Sequence, residues 1–137
     1  MISSIFTQSL TTPRILTNEP IQKKELELKP ETIDFLQKSM RAVVTRGTGQ
    51  RVSTVKDIEI YAKTSTAQVS GLNKRNLDKS HLEHAWFVAY FKYKNYKPLT
   101  LVVMIEHAGS SRFPTITAKN FLIHYKKFMD DSNPLIV

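Results

Sequence analysis

The first residues to consider for chemistry are a serine and a lysine spaced for nucleophilic catalysis. Ser53-Thr54-Val55-Lys56 has the form Ser-x-x-Lys, in which one helical turn brings the lysine close enough to take the hydroxyl proton of the serine. The segment leads into a predicted strand rather than lying on a helix, so we interpret the match as a coincidence. The chain has no cysteine, which excludes thiolate nucleophiles, disulfides and thiolate metal ligands.

Four histidines raise the question of a metal site. They show neither the His-x-x-x-His helical spacing nor a pattern of carboxylate partners that metal sites use; they are His81, His84, His107 and His124. We therefore predict no metal and no cofactor. His84 opens an apolar strand with Trp86 and Phe87, and a core role is the default interpretation of all three.

A lysine and three hydroxyl side chains follow one another at Lys63, Thr64, Ser65 and Thr66. Apolar residues alternate with polar ones just before Lys63, which predicts a strand from about 57 to 69. Taken alone, the Lys-Thr-Ser tripeptide is most simply an exposed piece of strand.

The elements around this strand predict an α+β fold, an antiparallel sheet packed by helices. Residues 84–93 are apolar on both faces, as in a central strand, and the short turn 94–98 returns the chain antiparallel into 99–105. A helix should begin at Pro30 and end at Gly47. A final helix, about 115–129, should pack on the sheet, with residues 71–83 as a polar loop and 130–137 as a loose tail.

The combination of three segments resembles the class B, elongation-type penicillin-binding transpeptidases. The segments are Lys63-Thr64-Ser65-Thr66-Ala67-Gln68, His84-Ala85-Trp86-Phe87 and the turn Gly47-Thr48-Gly49. In that family a Lys-Thr-Gly strand forms one side of the cleft, beside serines in Ser-x-x-Lys and Ser-x-Asn. The resemblance covers most of residues 13–128, is most specific from 47 to 106, and implies part of a penicillin-binding transpeptidase or serine β-lactamase-like fold.

The resemblance also implies roles for individual residues. Lys63 would supply a fixed positive charge near the second serine and the substrate carboxylate, which the Thr64 hydroxyl would bind. The backbone N–H of Thr66 would help to stabilise the oxyanion formed when a serine attacks a peptidoglycan stem peptide or a β-lactam. The expected substrate-binding residues are thus Lys63, Thr64, Ser65 and Thr66, of which Lys63 and Thr64 contribute to catalysis.

The chain departs from the family pattern in ways that imply an incomplete site. Ser65 stands where the family has glycine, and its side chain should narrow the cleft. Glu106-His107-Ala108-Gly109 resembles Glu-x-Gly-Gly, but the second glycine is missing from the following loop. No Ser-x-Asn occurs, so both catalytic serines are expected in a missing N-terminal part. We interpret residues 1–137 as the C-terminal fragment of the domain, inactive alone.

Charge leaves other interpretations open. With 20 Lys+Arg against 12 Asp+Glu, the net charge is +8, which suits an anionic partner but does not say which. A solvated basic surface is the simplest interpretation, and the resemblance predicts no nucleic-acid partner. The alternatives are a catalytically silent basic domain that binds nucleic acid or an anionic wall polymer, and a truncated product with no independent role.

The expected location follows from the resemblance alone. The chain has no apolar run long enough to span a membrane and no export signal at its start. The intact parent would act in the bacterial cell envelope, at the periplasmic face of the inner membrane.

Overall fold

The computed structural model describes residues 2–16, 18–71, 74 and 78–132. The described residues form three α-helices and five β-strands. In chain order they are α1 (Ile2–Thr7), β1 (Ser9–Thr11), β2 (Lys23–Glu25), α2 (Pro30–Arg46), β3 (Ile58–Ala67), β4 (His84–Tyr93), β5 (Leu99–Ile105) and α3 (Arg112–Asp131). Short 3₁₀ helices at Gln50–Thr54 and Lys79–His81 precede β3 and β4.

The central sheet has the order β3-β4-β5 and is antiparallel throughout. Lys63 pairs with Val88 of β4, and Val88 pairs in turn with Val102 of β5. This confirms the predicted antiparallel α+β sheet, and β4 and β5 have the predicted bounds. The β3 strand, which carries the lysine and the hydroxyl residues, lies at one edge of the sheet, and β5 lies at the other.

The two faces of the sheet are covered differently. On one face, apolar side chains pack with α3 and the end of α2; the fully buried ones include Phe87, Ala89, Ala118 and Leu122. On the other face, Phe6 of α1 stacks on Tyr90 with ring centroids 3.9 Å apart. The sheet is therefore sandwiched between α3 and the α1–α2 pair.

The predicted helix after Pro30 is confirmed as α2. Proline suits the first helical turn because its missing N–H has no partner there. Ile33, Met40 and Val44 are the buried side chains of this helix. It ends at Gly47, where a Cβ atom would lie 2.9 Å from the Val43 Cα, so only glycine fits without a shift of the backbone.

The prediction for the last helix was wrong at both ends. It begins at Arg112 rather than Thr115, because Pro114 falls in the first turn, where a missing N–H costs no helical hydrogen bond. It continues to Asp131, where Asp130 accepts hydrogen bonds from Tyr93 and Lys94. The first residues of the supposed loose tail, 130–131, are therefore helical, and 133–137 lie outside the described residues.

The first thirty residues contain more structure than their sequence predicts. Residues 2–7 form a helix, as their apolar spacing indicates, but β1 then pairs with β2 in a two-stranded sheet of three residue pairs. The predicted polar loop 71–83 contains the 3₁₀ helix Lys79–His81, whose first turn is capped by the Asp78 carboxylate at 2.8 Å from the Ser80 nitrogen. Residues 72–73 and 75–77 of that loop lie outside the described residues.

Candidate active-site strand

Lys63 and Thr64 lie side by side on the edge strand β3, but their side chains leave opposite faces of the sheet. Successive side chains on a strand alternate in direction, so Thr64 and Thr66 share the face that packs on α3. Lys63 and Ser65 share the face that packs on α1 and α2. Thr64 is only 8% exposed, whereas Lys63, Ser65 and Thr66 are exposed.

The Thr64 hydroxyl is fixed by the Gly-Thr-Gly turn. The Oγ1 atoms of Thr48 and Thr64 are 2.5 Å apart, and either one can donate the hydrogen bond. The turn itself is held by the Gly49 nitrogen, which donates to the Val43 carbonyl at 3.0 Å. A Cβ atom on Gly49 would lie 3.1 Å from the Val43 side chain, so glycine allows the close approach that brings Thr48 to the strand.

Lys63 lies in a groove of about 550 Å³ between the sheet and the two N-terminal helices. Its Nζ atom donates to the backbone carbonyl of Thr64 at 2.5 Å, so the ammonium group is held against its own strand. The other lining residues are mainly apolar: Ile2, Ser3, Ile5, Leu36, Met40, Val88, Thr100 and Val102. Among the described residues that line the groove, which are mainly apolar, Lys63 is the charged one.

Tyr61 is the next side chain along the Lys63 face of β3. Its hydroxyl donates to the Glu59 carboxylate at 2.5 Å. This hydrogen bond, together with burial, raises the pKa of Tyr61 to about 12. A phenol is neutral at physiological pH even at its ordinary pKa, and the shift only extends this to more alkaline pH. The carboxylate beside it belongs to Glu59, which lies on the same face of β3 as Lys63.

Ser53 and Lys56 do not form a serine–lysine pair in this structure. The Ser53 hydroxyl donates to the Gln50 carbonyl at 2.7 Å within the 3₁₀ helix. Lys56 follows that helix, in the turn before β3. The lysine is therefore not on the same helical turn as the serine, which the proton transfer of a Ser-x-x-Lys motif requires.

Two histidines, His84 and His107, contact each other at the end of the sheet where β3 ends. The backbone N–H of His107 donates to the Nδ1 atom of His84 at 3.0 Å, and the centroids of the two rings lie 4.6 Å apart in an edge-to-face arrangement. The loop is also held by the Gly109 nitrogen, which donates to the Glu83 carbonyl at 2.9 Å. His84 pairs with Ala67, the last residue of β3, so the loop after β5 is fixed near the end of the candidate site.

Sequence reasoning identified the strand but missed these contacts. The Gly-Thr-Gly turn was recognised, although nothing in the sequence indicated that Thr48 contacts Thr64. The His84–His107 pair has no local signal, because 23 residues separate its members. Phe87 is fully buried as predicted, whereas His84 and Trp86 are half-buried.

Two of the lysines that contribute to the net positive charge form ion pairs with aspartates. Lys94 lies 2.8 Å from Asp130, and Lys126 forms an ion pair with Asp57. The hydrogen bond from Lys94 is the main cause that lowers the pKa of Asp130. Among the described residues, no group of three or more histidine, aspartate or glutamate side chains is arranged to hold a metal ion.

The family model of the penicillin binding protein transpeptidase domain matches residues 2–123. The chain therefore belongs to this family. The match includes the three segments that carried the resemblance and most of α3.

Two relatives narrow the class. Peptidoglycan D,D-transpeptidase MrdA of Haemophilus influenzae is 38% identical over 69 residues, which are 46% of this chain and 10% of that protein. The solved complex between penicillin-binding protein PBP2 and MreC from Helicobacter pylori has a TM-score of 0.67 at 25% identity. That match covers 89% of this chain and 23% of the other.

These matches confirm the expected class B, elongation-type penicillin-binding transpeptidase and its partial α+β fold. The chain spans a tenth of the length of MrdA and less than a quarter of the Helicobacter chain. Within the described part of this chain, no helix has the length and apolar character needed to cross a bilayer.

Proposed function

We propose that this chain forms the lysine–threonine side of the catalytic cleft in an elongation-type D,D-transpeptidase. The complete enzyme would cross-link peptidoglycan stem peptides by serine acyl transfer and would be acylated by β-lactams. The observation that carries the proposal is the pair of hydroxyls, Thr48 and Thr64, 2.5 Å apart beside Lys63 on an edge strand.

The hydroxyl pair gives Thr64 a defined hydrogen-bonding role. A threonine hydroxyl has one hydrogen to donate and two lone pairs to accept with. When Thr48 donates to Thr64, the hydrogen of Thr64 is available for the carboxylate of a stem peptide or a β-lactam. The Lys63 side chain leaves the opposite face of β3, but its ammonium lies 2.5 Å from the Thr64 backbone carbonyl and so supplies positive charge on the same strand. The attraction is strongest where water is excluded.

The oxyanion of the acyl-transfer step needs N–H donors that point away from the sheet. On an edge strand, alternate backbone N–H groups have no neighbouring strand to donate to. We assign this donor to Thr66 on β3. Ser65 adds a side chain where the family has glycine, so we expect Ser65→Gly to bind β-lactams more tightly in the complete enzyme.

The attacking serine is assigned to polypeptide outside these 137 residues. Ser53 donates to the Gln50 carbonyl and has no lysine on its own helical turn. The chain alone should therefore remain unlabelled by a fluorescent penicillin. Stable labelling of Ser53, or of any other serine in it, would contradict the assignment.

The complete enzyme would work at the periplasmic face of the inner membrane, where stem peptides are cross-linked. Its substrate would be the stem peptide, and β-lactams would inhibit it by acylating the same serine. It would need no metal or other cofactor, because serine acyl transfer uses a hydroxyl as nucleophile, a lysine to take its proton and N–H groups to stabilise the oxyanion.

A segment exchange tests the proposal directly. Residues 47–105 of this chain replace the matching segment in the catalytic domain of Haemophilus influenzae MrdA, and acylation by fluorescent penicillin is measured. Lys63→Met should slow acylation by about 10- to 150-fold, since a hydrogen bond to a charged group contributes roughly 1.5–3 kcal/mol. Lys92→Met is the matched control, because Lys92 is an exposed lysine on the neighbouring strand β4.

The outcomes distinguish loss of the Lys63 contribution from loss of folding. Equal rates for the exchange protein and its Lys63→Met variant would remove Lys63 from the site. Circular dichroism of each variant shows whether the exchanged segment has folded. Slowing by Lys92→Met to the same extent would mean that the loss reflects net charge rather than position.

A further inference from the structure

The contact between His84 and His107 fixes which nitrogen of the His84 ring carries a proton. The backbone N–H of His107 lies 3.0 Å from the Nδ1 atom of His84. A backbone N–H can only donate, so this Nδ1 atom must present a lone pair. The His84 ring is therefore neutral in this contact and carries its proton on Nε2.

The His107 ring requires the opposite arrangement. Its Nδ1 atom lies 3.2 Å from the backbone carbonyl oxygen of Leu82. Because a carbonyl oxygen can only accept, the Nδ1 atom of His107 carries a proton and donates it. The two neighbouring rings thus differ in which nitrogen is protonated.

His107 also has a backbone conformation that few residues other than glycine adopt. Its φ angle is 50°, in the left-handed region, and a non-glycine residue stays there only where surrounding contacts hold it. The contacts are those with His84 and Leu82, and the nearby Gly109 N–H donates to the Glu83 carbonyl at 2.9 Å. Three hydrogen bonds therefore attach the loop after β5 to the segment that begins β4.

That segment also holds the end of β3. Ala67 pairs with His84, Thr66 pairs with Ala85, and Ala85 pairs in turn with Ile105. His84 is therefore the first residue of β4, the partner of the last residue of β3, and the point where the loop after β5 is attached. A displacement of His84 would be passed directly to Thr66 and its neighbours.

The strand pairing also sets the direction of the Thr66 N–H. The carbonyls of Ile60 and Thr64 accept hydrogen bonds from the side chains of Arg41 and Lys63, which indicates that these carbonyls point away from β4. In an antiparallel ladder the backbone groups of successive residues alternate in direction. Thr66, which is two residues beyond Thr64, therefore directs its N–H away from β4 as well.

We propose that His84 is a positioning residue for the oxyanion donor of the transpeptidase cleft. With its proton on Nε2, it holds the loop after β5 through the His107 N–H and thereby fixes the end of β3 at Thr66. This inference rests on the proposed function, because Thr66 is the oxyanion donor only in that reaction. What His84 must supply is an acceptor atom at the Nδ1 position.

NMR spectroscopy of the complete 137-residue chain tests the contact independently of activity. In ¹⁵N-labelled protein at neutral pH, the ring nitrogen shifts of His84 should show a protonated Nε2 and an unprotonated Nδ1. A scalar coupling across the hydrogen bond should connect this Nδ1 with the backbone nitrogen of His107. A His84 ring that is protonated on Nδ1 would overturn the proposal.

The positioning role is tested by acylation with fluorescent penicillin. The exchange into Haemophilus influenzae MrdA is extended to residues 47–111, so that it contains both histidines. His84→Leu removes the acceptor and should lower the acylation rate constant by about 10- to 100-fold, since misplacing a catalytic group by about 1 Å can cost about 100-fold. His84→Asn places an amide oxygen near the Nδ1 position and should restore most of the rate.

His81→Leu is the matched control within the exchanged segment. His81 lies in the 3₁₀ helix just before β4, and its backbone carbonyl, which the substitution retains, accepts a hydrogen bond from the Ser70 hydroxyl at 3.1 Å. The acylation rate constant of this variant should match that of the parent exchange protein.

Rate constants distinguish positioning from stability. Partial unfolding would reduce the amount of protein that is labelled, but it would not change the rate constant of the folded fraction. An unchanged rate constant in His84→Leu, or equal slowing in His84→Leu and His84→Asn, would overturn the positioning role. An exchange protein that is not acylated with His84 intact would overturn the proposed function and this role with it, whereas the NMR result would still decide the contact.

Discussion

Replacing Gly47 with alanine should displace the turn that holds Thr64. The added Cβ would lie 2.9 Å from the Val43 Cα and 3.0 Å from the Val43 carbonyl oxygen. Both are backbone atoms of α2, which cannot rotate away as a side chain can. Relieving the contact requires the turn to move, and Thr48 with it.

The expected cost has two parts. Overpacking of a close contact typically costs about 1–3 kcal/mol. Separating the Thr48 and Thr64 hydroxyls costs about 1 kcal/mol more, because Thr64 is 8% exposed and its hydroxyl would lose its partner. The free energy of unfolding should therefore fall by about 2–4 kcal/mol in Gly47→Ala.

Equilibrium unfolding in urea measures this change, provided that the transition is two-state. Thr45→Ala is a suitable control, since Thr45 is an exposed residue on the same last turn of α2 and should cost about 0.5 kcal/mol or less. Thr48→Val alone should cost about 1 kcal/mol. The double variant Gly47→Ala, Thr48→Val should then cost about 1 kcal/mol less than the sum of the two, because both remove the same hydrogen bond.

Two results would refute this reasoning. A Gly47→Ala chain within about 0.5 kcal/mol of wild type would mean that the turn absorbs a Cβ without moving. Strict additivity with Thr48→Val would mean that the turn moves without breaking the hydroxyl pair.

Two further predictions concern the core and the end of α3. Leu122→Ala should lower the free energy of unfolding by about 2–5 kcal/mol, because Leu122 is fully buried in the core; Phe128→Ala, at a residue 66% exposed, should cost less than about 1 kcal/mol. Asp130→Asn should lower stability above pH 4, since the hydrogen bonds from Lys94 and Tyr93 lower the pKa of this carboxyl below its ordinary value of 3.8. The stabilisation is complete above 3.8 and is lost as the pH falls through the lowered folded-state pKa, so the two proteins should converge in acid.

Urea midpoints measured across pH check the aspartate prediction. A constant difference between wild type and Asp130→Asn down to the lowest pH would contradict it. For the core prediction, equal losses in Leu122→Ala and Phe128→Ala would mean that α3 does not pack on the sheet as described.

The sequence was most informative where local pattern and tertiary role agree. The run from His84 to Tyr93 is apolar on both faces and pairs with strands on both sides, so its bounds could be read from composition. The short turn after it fixed the antiparallel pairing with Leu99–Ile105. By contrast, β1 and β2 are three residues each and mostly exposed, too short to leave a periodic signal.

The strand that carries the candidate site was predictable from the sequence, but the contacts of its side chains were not. Resemblance selected Lys63, Thr64, Ser65 and Thr66, and the period of a strand places alternate members on opposite faces. The contact between Thr48 and Thr64 depends on how α2 docks against β3. No local pattern encodes that packing, because it depends on the close approach that Gly47 and Gly49 allow.

The most direct test is a structure of the complete transpeptidase containing this segment, acylated by a β-lactam. The account predicts that the ligand carboxylate accepts a hydrogen bond from the Thr64 hydroxyl and lies near the Lys63 ammonium, while the Thr66 N–H donates to the acyl oxygen at about 3 Å. A covalently bound ligand whose carboxylate and acyl oxygen make no contact with β3 would contradict it.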